Sequence, residues 1–273
     1  MLKHCAILSL FPELFVPHLT HGVTSRVPFK TSLHNVRDFG LGKHRAVDDR
    51  PFGGGPGMLM QAEPLLGALE QAQAAMSSLT AQTMVVYMSP RGEQFDRDMS
   101  LELASTEKLI IVCGRYEGVD QRFLDIAIDR HISIGPYVLS GGELPALVVT
   151  DAIARRLPGV LGNHESAELE TFEVSCACGK TKQSPVDEGQ LATTTGSDLT
   201  GFEHDQFTRP QVFAQSLVER LYTQRNHTLR DRFASKWNEL NEDQRSDFKR
   251  LCEVPDVLLS GDHQKIAQWR GLQ

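Results

Sequence analysis

Three stretches gather glycine and hydrogen-bonding residues directly after apolar runs: "SPRG" (89–92), "GRYEG" (114–118) and "IGPYVLSGG" (134–142). Glycine lets main-chain N–H and C=O groups approach a ligand with no Cβ in the way, which suits an adenine or amino-acid moiety read by the backbone. Each stretch alone reads as an ordinary tight turn; three together point to one pocket. The pattern is not a dinucleotide fingerprint, because no G-x-G-x-x-G opens a helix after the first strand. "DDRPFGGGPGM" (48–58) is glycine-dense but lacks the Gly-Lys-Ser/Thr ending of a phosphate loop, and its two aspartates would repel an anion. It reads as a loop that something large approaches. "CAC" at 176–178 with His164 fits no zinc spacing, so no metal is expected.

Four apolar runs must position these stretches: "HCAILSLF", "TMVVYMSP", "KLIIVCGRYEG" and "HISIGPYVLSGG". Their length, β-branched content and flanking turn residues predict strands. "EPLLGALEQAQAAM" (63–76) and "ELPALVVTDAIARRL" (143–157) carry helical spacing. Strands feeding helices predict an α/β domain on a mostly parallel sheet, in which ligands bind beyond the carboxyl ends of the strands. From Glu173 to Asp205 the composition turns to Ser, Thr, Gly and acidic residues, the mark of a flexible linker. Beyond "FTRPQVF" the text is helical and charged, with "NEDQ" as a helix start. The expected organisation is 1–162 for the α/β domain, 163–207 for the linker and 208–273 for a small helical domain.

Composition sets the outer limits. The 273 residues are 40% hydrophobic, enough for a large core. Five cysteines at irregular spacing do not make a disulfide framework, so the chain reads as cytosolic. No stretch approaches a membrane span, and the N-terminus has no signal-peptide pattern. A net charge of −7 excludes a uniformly basic surface but leaves room for a local nucleic-acid patch.

In order along the chain, "LSLFPELF" (8–15), "KHRAVDDRPFGGGPGMLM" (43–60), "VVYMSPRG" (85–92), "LIIVCGRYEGVDQR" (109–122), "SIGPYVLSGGELPAL" (133–147) and "RRLPGVLG" (155–162) resemble the bacterial tRNA (guanine-N1)-methyltransferases of the SPOUT class. The resemblance covers nearly all of residues 1–172. It implies a trefoil-knotted α/β fold, a homodimer, S-adenosylmethionine as methyl donor, and as target the guanine 3′ of the anticodon, tRNA position 37. Connection rules alone would not produce a knot. By resemblance Ser133, Ile134, Gly135, Tyr137, Leu139, Gly141 and Gly142 wrap the donor, joined by Tyr87, Met88, Pro90, Gly114, Tyr116, Glu117 and Pro145. Tyr87 and Leu139 read equally well as core. A carboxylate such as Glu117 would hold the donor's ammonium group.

Methyl transfer to guanine N1 removes the N1 proton and leaves charge on O6, so it needs a base and a cationic group. Arg155 matches the family's arginine in the second role, with Arg156 as a bystander. The family's catalytic aspartate follows "PGVLG", and here that position holds Glu170, whose carboxylate reaches about 1.5 Å further. Glu168 is its competitor. His44, Asp48, Arg50, Gly57, Arg115 and Arg209 match positions on the tRNA side; for Asp48 and Arg50 a structural ion pair is the alternative. Arg220, Arg225, Arg230 and Arg232 are suitable phosphate partners. In the family a phrase like "VPDVLLSGDHQKIAQWR" follows soon after "TRPQVF"; here it stands at 254–270, after the helical stretch. The order looks exchanged. An altered base and tail leave open a second reading, an RNA-binding relative that keeps the donor pocket without turnover.

Overall fold

The computed structural model describes residues 1–162, 205–234 and 236–270. Five parallel strands form one sheet: β1 (His4–Ser9), β2 (Lys30–Asn35), β5 (Thr83–Gln94), β6 (Lys108–Cys113) and β7 (Arg130–Ser133), in the order β2-β1-β6-β5-β7. A two-stranded hairpin, β3 (Asp48–Asp49) and β4 (Leu59–Met60), frames the glycine-dense loop. The four predicted strands are present, and they read as unbroken apolar runs because both faces of the sheet are covered. On one face Ala6, Leu8, Val85, Tyr87, Ile110 and Val112 pack with α2 (Ala62–Ala75) and α4 (Gln121–Ala127). On the other, Ile7, Val86, Met88, Ile111 and Cys113 pack with α3 (Arg97–Ser105) and α5 (Glu143–Arg155). The α/β class read from the sequence is therefore observed, with a mostly parallel sheet between helical layers.

The tail helices are α6 (Gln215–Thr223), α7 (His227–Arg232), α8 (Glu242–Leu251), α9 (Asp256–Leu259) and α10 (His263–Trp269), and the first three join the first of these cores. Leu217, Leu221, Tyr222 and Phe248 belong to the same buried cluster as Leu65 and Phe123. Tyr222 is the hub, edge-on to Phe248 at 4.9 Å and to Trp237 at 5.2 Å. "NEDQ" does open a helix: Asn241 and Gln244 form a reciprocal capping box at the start of α8. Within the charged text before "NEDQ", α6 and α7 are separate helices, because Asn226 accepts from Leu229 N–H at 3.0 Å and caps a new helix.

Val212 pairs antiparallel with Glu253, and Val254 N–H donates to the carbonyl of Gln211 at 3.2 Å. Helices α6 to α8 thus leave and return at one point. "VPDVLL" therefore begins in space directly beside "TRPQVF", although forty residues of sequence separate Phe213 from Glu253. Helices α9 and α10 then bury Leu258 and Ile266 with Phe207 in a second small cluster, against Phe52 of the glycine-dense loop.

Candidate functional site

The second half of β5 and the loops after β6 and β7 enclose a cleft of about 290 Å³, and the "SPRG" stretch that contributes to it lies within β5 rather than after it. All fourteen residues expected to wrap the donor line it, from Tyr87, Met88 and Pro90 through Gly114, Tyr116 and Glu117 to the stretch from Ser133 to Pro145. Arg115 lines it as well. Tyr87 is both wall and core, 7% exposed and edge-on to His131 at 5.5 Å. Leu139 is half-exposed, so the core alternative does not hold for it.

The glycines make the cleft possible by letting backbones touch. Gly142 crosses the end of β6, its N–H donating to Gly114 O at 2.9 Å. A Cβ there would lie 2.8 Å from Cys113 Cα and 3.0 Å from Gly114 N. At Gly114 the missing side chain's space is filled by Tyr87, whose hydroxyl would be 2.5 Å from a Cβ. Gly92 is the counterpart on β5: pairing with β7 jumps from Met88 to Glu93 opposite Ile132, and a Cβ at Gly92 would meet Ile132 N at 2.4 Å. Tyr116 adopts φ +60°, a left-handed conformation costly for a non-glycine residue and characteristic of sites.

Charge in the cleft is fixed by neighbours. Arg115 donates from Nε to buried Glu143 at 2.8 Å and from Nη1 to Ser140 O at 3.2 Å, and lies over the Phe11 ring at 4.7 Å. Ser9 donates to the other Glu143 oxygen at 2.7 Å. "LSLFPELF", "GRYEG" and "SGGELPAL" thus meet in one cluster. Burial, aided by the nearby Arg91 guanidinium, pushes the His131 imidazole below its usual range.

The residues expected on the tRNA side are dispersed by comparison. Gly57 (φ +70°) abuts the cleft, where a Cβ would lie 2.4 Å from Glu117 Cγ. His44 and Arg50 are exposed and Asp48 half-buried, and none of them lines the cleft. The ion pair of this stretch is Asp49 with Arg209 at 2.8 Å rather than Asp48 with Arg50. That pairing holds the Asp49 carboxyl below the ordinary carboxylate range against the opposing effect of desolvation. What approaches the glycine-dense loop is the tail: Arg270 donates to Phe52 O at 3.0 Å and to Gly54 O at 2.8 Å. Arg155 ends α5, a 13-residue helix that begins at the cleft, so about 20 Å of helix separates the two. Glu170, Glu168, His164, Cys176 and Cys178 lie outside the described residues. Sequence reasoning missed Arg91, His131, Asp205 and Gln206, which also line the cleft. The first two stand within or beside quoted motifs, whereas the last two carry no local signal. Among the described residues no cluster of three or more metal-ligating side chains occurs, and no helix is long and apolar enough to cross a membrane.

A parallel sheet covered on both faces, with a glycine-walled cleft at its carboxyl edge, defines an α/β protein of the kind in which such clefts take small ligands. The family model described as tRNA (Guanine-1)-methyltransferase TrmD matches residues 3–183. A tRNA (guanine-N(1)-)-methyltransferase of Proteus mirabilis (strain HI4320) is 42% identical over 97% of this chain and 82% of its own length. Proteins of the same name from Pseudoalteromonas translucida (strain TAC 125) and Moorella thermoacetica (strain ATCC 39073 / JCM 9320) are 39% and 38% identical over 98% of this chain, covering 81% and 83% of theirs. The chain belongs to the tRNA (guanine-N1)-methyltransferase family.

Proposed function

We propose that this chain transfers the methyl group of S-adenosylmethionine to N1 of the guanine 3′ of the anticodon, tRNA position 37. The observation that carries the reading is the convergence of fourteen residues, drawn from stretches far apart in sequence, on one cleft in a member of this family. The cleft suits the donor: its floor is backbone that tolerates no Cβ at Gly142, its sides are Tyr87, Met88 and Leu139, and Glu117 offers a carboxylate for an ammonium group. When bound, the donor supplies an electrophilic methyl group on a sulfonium.

The remaining chemistry falls to side chains of this protein. Glu170 takes the N1 proton as general base, and Arg155 stabilises the charge that grows on guanine O6. The length of α5 between Arg155 and the cleft favours a homodimer in which Arg155 serves a site completed by the second subunit. Exposed Leu14, Leu144 and Val148 offer the apolar surface such a contact requires. The crossing of residues 139–142 over the end of β6 supports the trefoil knot of the SPOUT class. The tail and the glycine-dense loop form the tRNA side, and a cytoplasmic location fits a tRNA substrate. Labelled methyl transfer to a tRNA transcript with guanine after the anticodon, against one with adenine there, tests the reading. Transfer to the guanine transcript alone is expected; donor binding without transfer would make the chain an RNA-binding relative.

A further inference from the structure

The cleft has a wall that belongs neither to β5 nor to the loops after β6 and β7. Asp205 and Gln206, immediately before the tail, line it. We propose that residues 205–208 are an integral wall of the donor site, with Asp205 and Gln206 binding the donor and the buried Asp120–Arg122 pair holding the wall in place. The proposal rests on the donor reading above and extends it to the end of the stretch read from the sequence as a linker.

The strip is bonded along its length to the loop after β6. Gln121 N–H donates to Gln206 O at 2.8 Å, and Gln206 Nε2 reaches Glu117 O at 3.4 Å. Thr208 N–H donates to Asp120 Oδ2 at 2.7 Å, and its hydroxyl donates to the same oxygen. Beneath them Arg122, with no exposed surface, pairs with Asp120 at 2.7 Å and donates to the carbonyls of Thr208 and Pro210. Its guanidinium lies over the Phe213 ring at 3.8 Å.

A buried ion pair is a poor way to gain stability, since its desolvation offsets most of the attraction; what it offers is a fixed geometry. Here the pair joins Asp120, at the end of the loop after β6, to residues 208–211, and Arg122 also reaches the carbonyl of Cys252. The two residues left facing the cleft are an acceptor carboxylate, Asp205, and an amide, Gln206. Both suit a cationic donor that also presents an amine and hydroxyl groups. Asp120 and Arg122 are positioning residues, since they act on the donor through the strip.

Calorimetric titration of the full chain with S-adenosylmethionine, in the absence of tRNA, separates this wall from any tRNA contact. Asp205→Ala and Gln206→Ala should each weaken donor affinity by about tenfold, the effect of one hydrogen bond in a desolvated site. Both positions reach the surface, so their melting temperatures should match the wild type. Thr208→Val, which keeps shape but releases Asp120, should weaken the donor without touching it. Wild-type affinity in both Asp205→Ala and Gln206→Ala would overturn the inference while leaving the donor reading intact. A wild-type chain that fails to bind S-adenosylmethionine would instead overturn the donor reading itself.

Discussion

At Gly142 even a methyl group has no place, because the atoms it would strike are backbone and cannot rotate away. Gly142→Ala should therefore force the chain off the end of β6. We expect loss of detectable donor binding by calorimetry and a folding cost of about 1–3 kcal/mol in urea unfolding. A variant that binds the donor as the wild type does would show that the crossing is dispensable. The proposed base is open to a finer test. Glu170→Gln keeps size and hydrogen bonding but accepts no proton, so transfer should fall by a factor of about 10² to 10⁴ with donor affinity unchanged. Glu170→Asp should stay active and Glu168→Gln should do little. Full activity in Glu170→Gln with none in Glu168→Gln would move the base by two residues.

Among the elements, what could be read in advance depended on whether the physical cause was local. The central strands β1, β5 and β6 are legible as apolar runs because helices cover both of their faces. Edge strand β2, "KTSLHN", carries polar residues on a half-exposed surface and offers no such signal. The glycines of the cleft were legible as positions needing close backbone approach, whereas Gln206, with Asp205 beside it in the chain, reaches it through tertiary bonds to Glu117 and Gln121 that no local pattern encodes. The glycine-dense loop was legible as a place of close approach, and within the chain it is the tail that comes close. One bond that fastens it has a predictable pH dependence. The Arg209 partner lowers the native Asp49 carboxyl relative to the unfolded chain, so the contribution is complete above the usual aspartate range of about 4 and lost as pH falls through the native value. Comparing wild type with Arg209→Gln by thermal unfolding, we expect a difference at pH 7 that closes as the pH is lowered below about 4. A difference that persists in acid would mean that Arg209 acts through another contact.

In the whole molecule the cleft lies at one end of α5 and Arg155 at the other, and the proposed second subunit bridges the gap. Sedimentation should show a dimer, and Val148→Asp should shift it toward monomer with loss of transfer, since a charge would be buried in the contact. Mixing Arg155→Ala chains with Glu170→Gln chains should restore part of the activity if the two residues serve one site from different subunits. A fully active monomer would remove this arrangement. The central claim is the identity of the product. A tRNA transcript bearing guanine 3′ of its anticodon, incubated with the protein and S-adenosylmethionine, can be digested to nucleosides and to anticodon fragments and analysed by mass spectrometry. The account predicts 1-methylguanosine, confined to that guanine and absent from a transcript with adenine in its place. A methyl group on another atom or another nucleotide, or no methylated nucleoside from a chain that binds both donor and tRNA, would contradict it.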